Sequence, residues 1–214
     1  EALPLVKPTG FREYDARWWF GIQGNDKPPE LNLLGVQALG LGLGTLIHEF
    51  GVAPRIVVGH DFRFYSTSIK QALTLGLMQA GMEVNDIGLA LSPTAYFAQF
   101  ALDIPCVAMV TASHNENGWT GVKMGADRPL TFGPDEMGKL RDIVLGGNFK
   151  ERPGGAYKRI EDMLAKGEKL PVDFTNRVIY YVGPVDPVRD EVVGPAGPTT
   201  ATRLDKSTEM PPAK

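Results

Sequence analysis

The chain has 214 residues, 43% of them hydrophobic, which suffices for one large domain or two small ones and excludes wholesale disorder. Its 22 Lys and Arg against 25 Asp and Glu give a formal charge of −3, which excludes a basic footprint for nucleic acid and a polybasic membrane patch. One cysteine, Cys106, excludes an internal disulfide framework and a cysteine-rich zinc or iron–sulfur site, and fits a reducing compartment such as the cytoplasm.

No apolar run approaches the roughly 20 residues that span a bilayer. The start, Glu1-Ala2-Leu3-Pro4, carries no signal region and no initiator methionine, so a trimmed chain or a fragment is expected. Phe11 to Arg17 alternates aromatic and charged residues, and Trp18, Trp19 and Phe20 follow, suited to stacking a sugar or, the preferred reading, to sealing a domain edge. From Leu31 to Phe50 the apolar residues recur at helical spacing and Gly51 stops the run. Gly40, Gly42 and Gly44 inside it point to close helix packing rather than a phosphate loop, because such a loop follows a strand and opens a helix. His48 on this helix is expected to be surface or a satisfied core residue.

Arg55 to Val58 reads as a buried strand ending at Gly59-His60-Asp61-Phe62-Arg63, and Ser66-Thr67-Ser68 offers N-caps for a helix through Ala80. Met82 to Leu89 is the next strand, Ser92-Pro93 opens a helix to about Leu102, and Cys106 to Val110 is a third buried strand. Pro134 begins a helix to about Leu145. Strands alternating with helices predict an α/β fold of layered α/β/α type, with ligands gathered at the carboxyl ends of the strands. Beyond Arg152, Tyr157 to Lys166 reads as a short helix with Ile160, Met163 and Leu164 as its apolar stripe. Arg177 to Val182 reads as a strand, and six prolines after Gly183 make the rest loop-rich.

The loop Thr111-Ala112-Ser113-His114-Asn115, with Lys123 ten positions after the serine, is the most informative local feature. A serine at a strand end suits an activated nucleophile, a phosphoserine needing cationic and amide partners, or a simple turn cap. The absence of a Gly-x-Ser-x-Gly elbow speaks against a hydrolase triad. His60 and His114 end neighbouring strands but lack a certain third ligand for zinc. Arg63 suits a phosphate or an ion pair with Asp61 or Asp15.

Three segments together resemble domain 1 of the α-D-phosphohexomutases, the phosphomannomutase/phosphoglucomutase family. Phe11-Arg12-Glu13-Tyr14-Asp15-Ala16-Arg17 resembles that family's Phe-Arg-x-Tyr-Asp-Ile-Arg-Gly opening. Gly59 to Arg63 resembles its Gly-x-Asp-x-Arg segment, and Thr111 to Lys123 resembles its Thr-Ala-Ser-His-Asn-Pro loop with a downstream Asn-Gly-x-Lys. Ala16, Trp18, Glu116 and Thr120 depart from the pattern. The resemblance implies that Ser113 is phosphorylated and exchanges its phosphoryl group with a hexose phosphate through a hexose 1,6-bisphosphate. It assigns catalytic roles to Ser113, His114, Lys123 and Arg17, and substrate contacts to Tyr14, Arg12 and Arg63. It also implies Mg²⁺ held through a phosphate oxygen on Ser113, with the other ligands missing from this chain. The family's metal loop, Asp-Gly-Asp-x-Asp-Arg, has no match, nor do its sugar-reading and second phosphate-binding loops. An incomplete domain, inactive alone, is therefore expected.

The C-terminal part resembles a different family. Arg177-Val178-Ile179-Tyr180-Tyr181-Val182-Gly183-Pro184-Val185 and Gly194-Pro195-Ala196-Gly197-Pro198-Thr199-Thr200-Ala201-Thr202-Arg203 are similar to the C-terminal domain of class I fumarases. That similarity implies a dicarboxylate contact at Thr199 and Arg203. The expected organisation is a phosphohexomutase domain 1 over 1–152 and a partial fumarase-like segment over 153–214. The alternatives are a fumarate hydratase-like lyase fragment and a catalytically silent phosphosugar-binding module.

Overall fold

In a computed structural model, residues 3–129 and 131–167 are described, together with two paired two-residue strands, Val185–Asp186 and Glu191–Val192. In chain order the main elements are β1 (Ala16–Trp19), α1 (Leu33–Glu49), β2 (Arg55–His60), α2 (Ser66–Gln79) and β3 (Glu83–Leu89). They continue as α3 (Ser92–Ala101), β4 (Cys106–Val110), β5 (Trp119–Gly125), α4 (Pro134–Gly146), β6 (Ala156–Arg159) and α5 (Ile160–Ala165). Six strands form one sheet in the order β1-β5-β4-β2-β3-β6. The four from β4 to β6 run parallel to one another, while β5 is antiparallel to both β4 and β1.

The central strands are apolar on both faces, as a covered parallel sheet requires: every residue of β4 is buried, and so are Ile56 to Gly59 of β2. Ile56, Val58, Val84, Cys106 and Ala108 pack with the helices α1, α2 and α4, whereas Val57, Ile87, Val107 and Met109 pack with α3 and Ile160 of α5. The described residues therefore form an α/β/α three-layer sandwich.

Helix α1 opens at Asn32, whose side chain accepts from Gly35 N at 2.8 Å, and α4 ends at Gly147 in the left-handed region. The glycines of α1 do pack closely. A Cβ on Gly40 would lie 2.2 Å from Leu73 O, and one on Gly76 of α2 would lie 2.0 Å from Gln37 O, so the two helices touch backbone to backbone. His48 is a satisfied residue, its Nε2 2.9 Å from Ala80 O.

Two local expectations are corrected. Ser66 does not cap α2: Tyr65 holds the cap position, and Ser66 Oγ donates to Asp61 Oδ1 at 2.6 Å. Residues 157–159 are strand rather than helix. Tyr157 reaches Asp86 Oδ2 at 2.6 Å and Lys158 pairs with Glu83 Oε2 at 2.8 Å, so their side chains find partners along the neighbouring strand β3. The segments flanking the site, Ala16–Trp19 and Trp119–Gly125, are strands that local patterning does not announce. The strand expected at Arg177 to Val182 lies outside the described residues.

Candidate active site

The chain leaves the carboxyl end of β4 in a tight turn. Thr111 N donates to Gly121 O of β5 at 2.9 Å, Ser113 N donates to Thr111 Oγ1 at 3.0 Å, and Asn115 N donates to Ala112 O at 3.1 Å. This turn holds Ser113 at φ 57°, a left-handed conformation that costs a side-chain-bearing residue about 1–2 kcal/mol. Ser113 is exposed, and its Oγ lies 3.5 Å from His114 Nδ1, the outer edge of hydrogen-bond range.

From the two antiparallel strands Arg17 reaches this loop directly and Lys123 is linked to it through Asp15. β1 pairs with β5 so that Arg17 faces Gly121, and β5 pairs with β4 so that Lys123 faces Met109. Ala16, Val122 and Met124 enter the α1-side core, so strand alternation turns Arg17 and Lys123 to the opposite face, the side of α3. Asp15 Oδ2 accepts from Arg17 Nε at 2.9 Å and Nη2 at 2.8 Å, and lies 3.9 Å from Lys123 Nζ. Arg17 Nη1 also donates to Ala112 O at 3.2 Å and to Asn115 Oδ1. One carboxylate thus gathers two cations, and one of those cations is bonded to the residues on both sides of the Ser113-His114 pair.

Arg12 and Tyr14 lie on the turn before β1. The Arg12 amide donates to Asp15 O at 2.9 Å while its side chain is exposed, and Tyr14 is 63% exposed, so both are open to a ligand. Tyr96 of α3, which motif reading does not single out, is half-buried. Burial, reinforced by the charge of Asp15, raises its pKa above the ordinary tyrosine value.

Arg63 is turned inward. Its side chain is 3% exposed, its Nε donates to Asp61 Oδ2 at 3.2 Å, and its two terminal nitrogens donate to Glu116 O at 3.0 Å, Asn115 O at 2.6 Å and Ser113 O at 3.3 Å. Asp61 also accepts from Arg63 N at 3.3 Å and from Ser66 Oγ. Tyr65 continues the same pattern: its hydroxyl accepts from Gly118 N and donates to Trp119 O, both at 2.8 Å. His60 Nδ1 is 2.8 Å from Asp61 O. Burial, helped by the nearby Lys70, lowers its pKa below the usual histidine value, and that outweighs the opposing pull of the Asp61 carbonyl and the Asp86 charge.

Among the described residues no group of three or more His, Cys, Asp or Glu is placed to hold a metal ion. Asp15, the carboxylate at the centre of the site, is already occupied by Arg17 and Lys123. The residues present therefore do not by themselves fit a Mg²⁺ site. Thr199 and Arg203 lie outside the described residues.

Comparison with known proteins identifies this architecture. Residues 9–151 match the sequence model of phosphoglucomutase/phosphomannomutase, alpha/beta/alpha domain I. The solved structure of a phosphoglucomutase/phosphomannomutase family protein from Burkholderia thailandensis superposes with a TM-score of 0.61 over 76% of this chain and 35% of that one. At 24% identity that likeness is one of fold. This chain belongs to the phosphoglucomutase/phosphomannomutase family, whose members are generally Mg²⁺-dependent. A protein from Thermococcus gammatolerans named "Probable phosphoglucosamine mutase" is 37% identical over 125 residues, which cover 58% of this chain and 26% of that protein. A phosphomannomutase from Klebsiella pneumoniae is 37% identical over 139 residues, 65% of this chain and 80% of that sequence. The chain thus spans only about a quarter to a third of most of the curated relatives it matches. Residues 139–212 match a second sequence model, the fumarase C-terminus. No helix among the described residues is long and apolar enough to cross a membrane.

Proposed function

We propose that this chain is the serine-bearing domain of a cytoplasmic phosphohexomutase, and that Ser113 takes a phosphoryl group from a hexose 1,6-bisphosphate. The observation that carries the reading is Ser113 itself, exposed in a left-handed turn at a strand end, beside an Arg17–Asp15–Lys123 cluster bonded into the same loop. In the transfer, the bond between phosphorus and the sugar oxygen breaks and a Ser113 Oγ–phosphorus bond forms. The serine proton passes to the departing sugar oxygen. Such transfers are governed by positioning and charge stabilisation, which suits Arg17 and Lys123 as cations and His114 as the partner of Ser113 Oγ. Arg12 and Tyr14, exposed on the turn before β1, are assigned to the sugar phosphate. Mg²⁺ belongs to this reading only as an ion that a phosphate on Ser113 would help to hold, with its remaining ligands absent from this chain.

Incubation with phosphorus-labelled glucose 1,6-bisphosphate and Mg²⁺, followed by peptide mapping, tests the assignment. Label is expected on Ser113 and lost in Ser113→Ala, with no turnover of hexose phosphates by this chain alone. Label elsewhere or none, with sugar-phosphate binding retained, points instead to a silent phosphosugar-binding module.

The fumarase match over 139–212 favours one second reading, a dicarboxylate contact at Thr199 and Arg203 within a segment beginning near residue 153. Thermal stabilisation by fumarate that disappears in Arg203→Ala supports it, and no stabilisation refutes it.

A further inference from the structure

We infer that the segment Asp61–Tyr65 is a clamp that sets the conformation of the Ser113 loop, with Arg63 and Tyr65 as positioning residues that do not touch the sugar phosphate. This rests on the mutase reading of Ser113 and deepens it.

The clamp has two arms from one short turn between β2 and α2. Arg63 donates to three carbonyls of the loop, those of Ser113, Asn115 and Glu116. The Tyr65 hydroxyl engages the other end, accepting from Gly118 N and donating to Trp119 O as the chain enters β5. A planar guanidinium is suited to such a multiple contact, because its donors leave in fixed directions. Both arms are themselves anchored. Asp61 accepts from the side chain and the amide of Arg63 and is oriented by Ser66 Oγ, the first residue of α2. The Tyr65 ring is buried and packs against Phe20, 5.6 Å away, and Phe64, 4.9 Å away.

A serine in a left-handed turn holds that geometry only when its surroundings dictate it. Hydrogen bonds within the loop fix Ser113 N and Asn115 N, whereas the carbonyls of 113 and 115 point to Arg63, and that of Glu116 is shared between Arg63 and the Trp119 amide, 3.3 Å away. Arg63 uses its Nε and both terminal nitrogens on protein acceptors and is buried, which leaves it poorly placed for a phosphate. It acts on Ser113 through the backbone.

The test compares the wild-type chain with Tyr65→Phe and Arg63→Lys. Tyr65→Phe removes one hydroxyl and keeps the ring packing, so it tests the clamp even where substitution of buried Arg63 disrupts the fold. Three readouts are needed: rate of Ser113 labelling against glucose 1,6-bisphosphate concentration with Mg²⁺, hydrogen exchange of peptides covering 111–119, and global unfolding. The clamp predicts a plateau labelling rate at least tenfold lower in each folded variant, a half-saturating concentration within twofold of wild type, and exchange at 111–119 faster than in wild type while the rest of the sheet is unchanged. A raised half-saturating concentration with an unchanged plateau makes these substrate contacts and overturns the inference. Unchanged labelling and unchanged exchange overturn it as well. If the wild-type chain takes no label, the mutase reading fails, and exchange at 111–119 still decides whether the clamp exists.

Discussion

Lys70→Met isolates the buried charge pair that joins α2 to the sheet. Lys70 and Asp86 are 6% and 3% exposed, and Lys70 Nζ donates to Asp86 Oδ2. The same oxygen accepts from Tyr157 Oη at 2.6 Å, and Oδ1 accepts from Gly88 N at 2.8 Å. Replacing the ammonium by an apolar side chain leaves a buried carboxylate with only two neutral donors. Breaking one partner of such a pair costs about 3–5 kcal/mol, a large part of the roughly 5–15 kcal/mol that stabilises a domain. Adding Asp86→Asn removes the stranded charge while keeping an oxygen for the Gly88 amide, so the double variant should recover most of the loss and sit within about 2 kcal/mol of wild type. Urea unfolding followed by tryptophan fluorescence reads both values, since Trp18 is fully buried. A single-variant cost below about 1 kcal/mol, or a double variant no better than the single, would mean that the Lys70 ammonium does not hold the Asp86 charge in place.

Three further outcomes follow from the same physics. Gly76→Ala should lower stability despite the better helix propensity of alanine, because its Cβ meets Gln37 O at 2.0 Å and Leu41 N at 2.6 Å, backbone atoms that cannot swing aside; thermal unfolding reads the sign. His60 has a lowered folded-state pKa, so below about pH 6.5 the unfolded chain binds more protons there, and stability should fall as pH drops from 7 toward 5. His60→Asn, which keeps a donor for Asp61 O, should flatten that slope, and urea unfolding at several pH values checks it. Ser113→Gly should gain about 0.5–1 kcal/mol by relieving the left-handed turn, net of the entropy of glycine, while losing all label.

Much of the sandwich is legible locally. The stripe from Leu33 to Phe50 and the apolar runs at Ile56–Val58 and Cys106–Val110 declare α1, β2 and β4, because burial on both sides of a parallel strand demands unbroken hydrophobicity. β1 and β5 are hidden because their pairing is long-range. Arg17 meets Gly121 across the sheet, and Trp119-Thr120-Gly121 offers little β-patterning until its partner is known. β6 is hidden for another reason: Lys158 and Arg159 are exposed charges on an edge strand, which mimic a polar helix start. At the site, family resemblance marks Ser113, Arg17 and Lys123. The linking role of Asp15 has a faint signal in its position two residues before Arg17. Tyr65 and Tyr96 have none, since their significance arises only when β2, α3 and the loop after β4 converge.

The most direct measurement of the central claim is the intact mass and site map of the chain after exposure to glucose 1,6-bisphosphate and Mg²⁺, with Ser113→Ala alongside. One added phosphoryl group, located on Ser113 and absent from the variant, is expected. An unchanged mass, or a phosphoryl group that the variant still acquires, contradicts it.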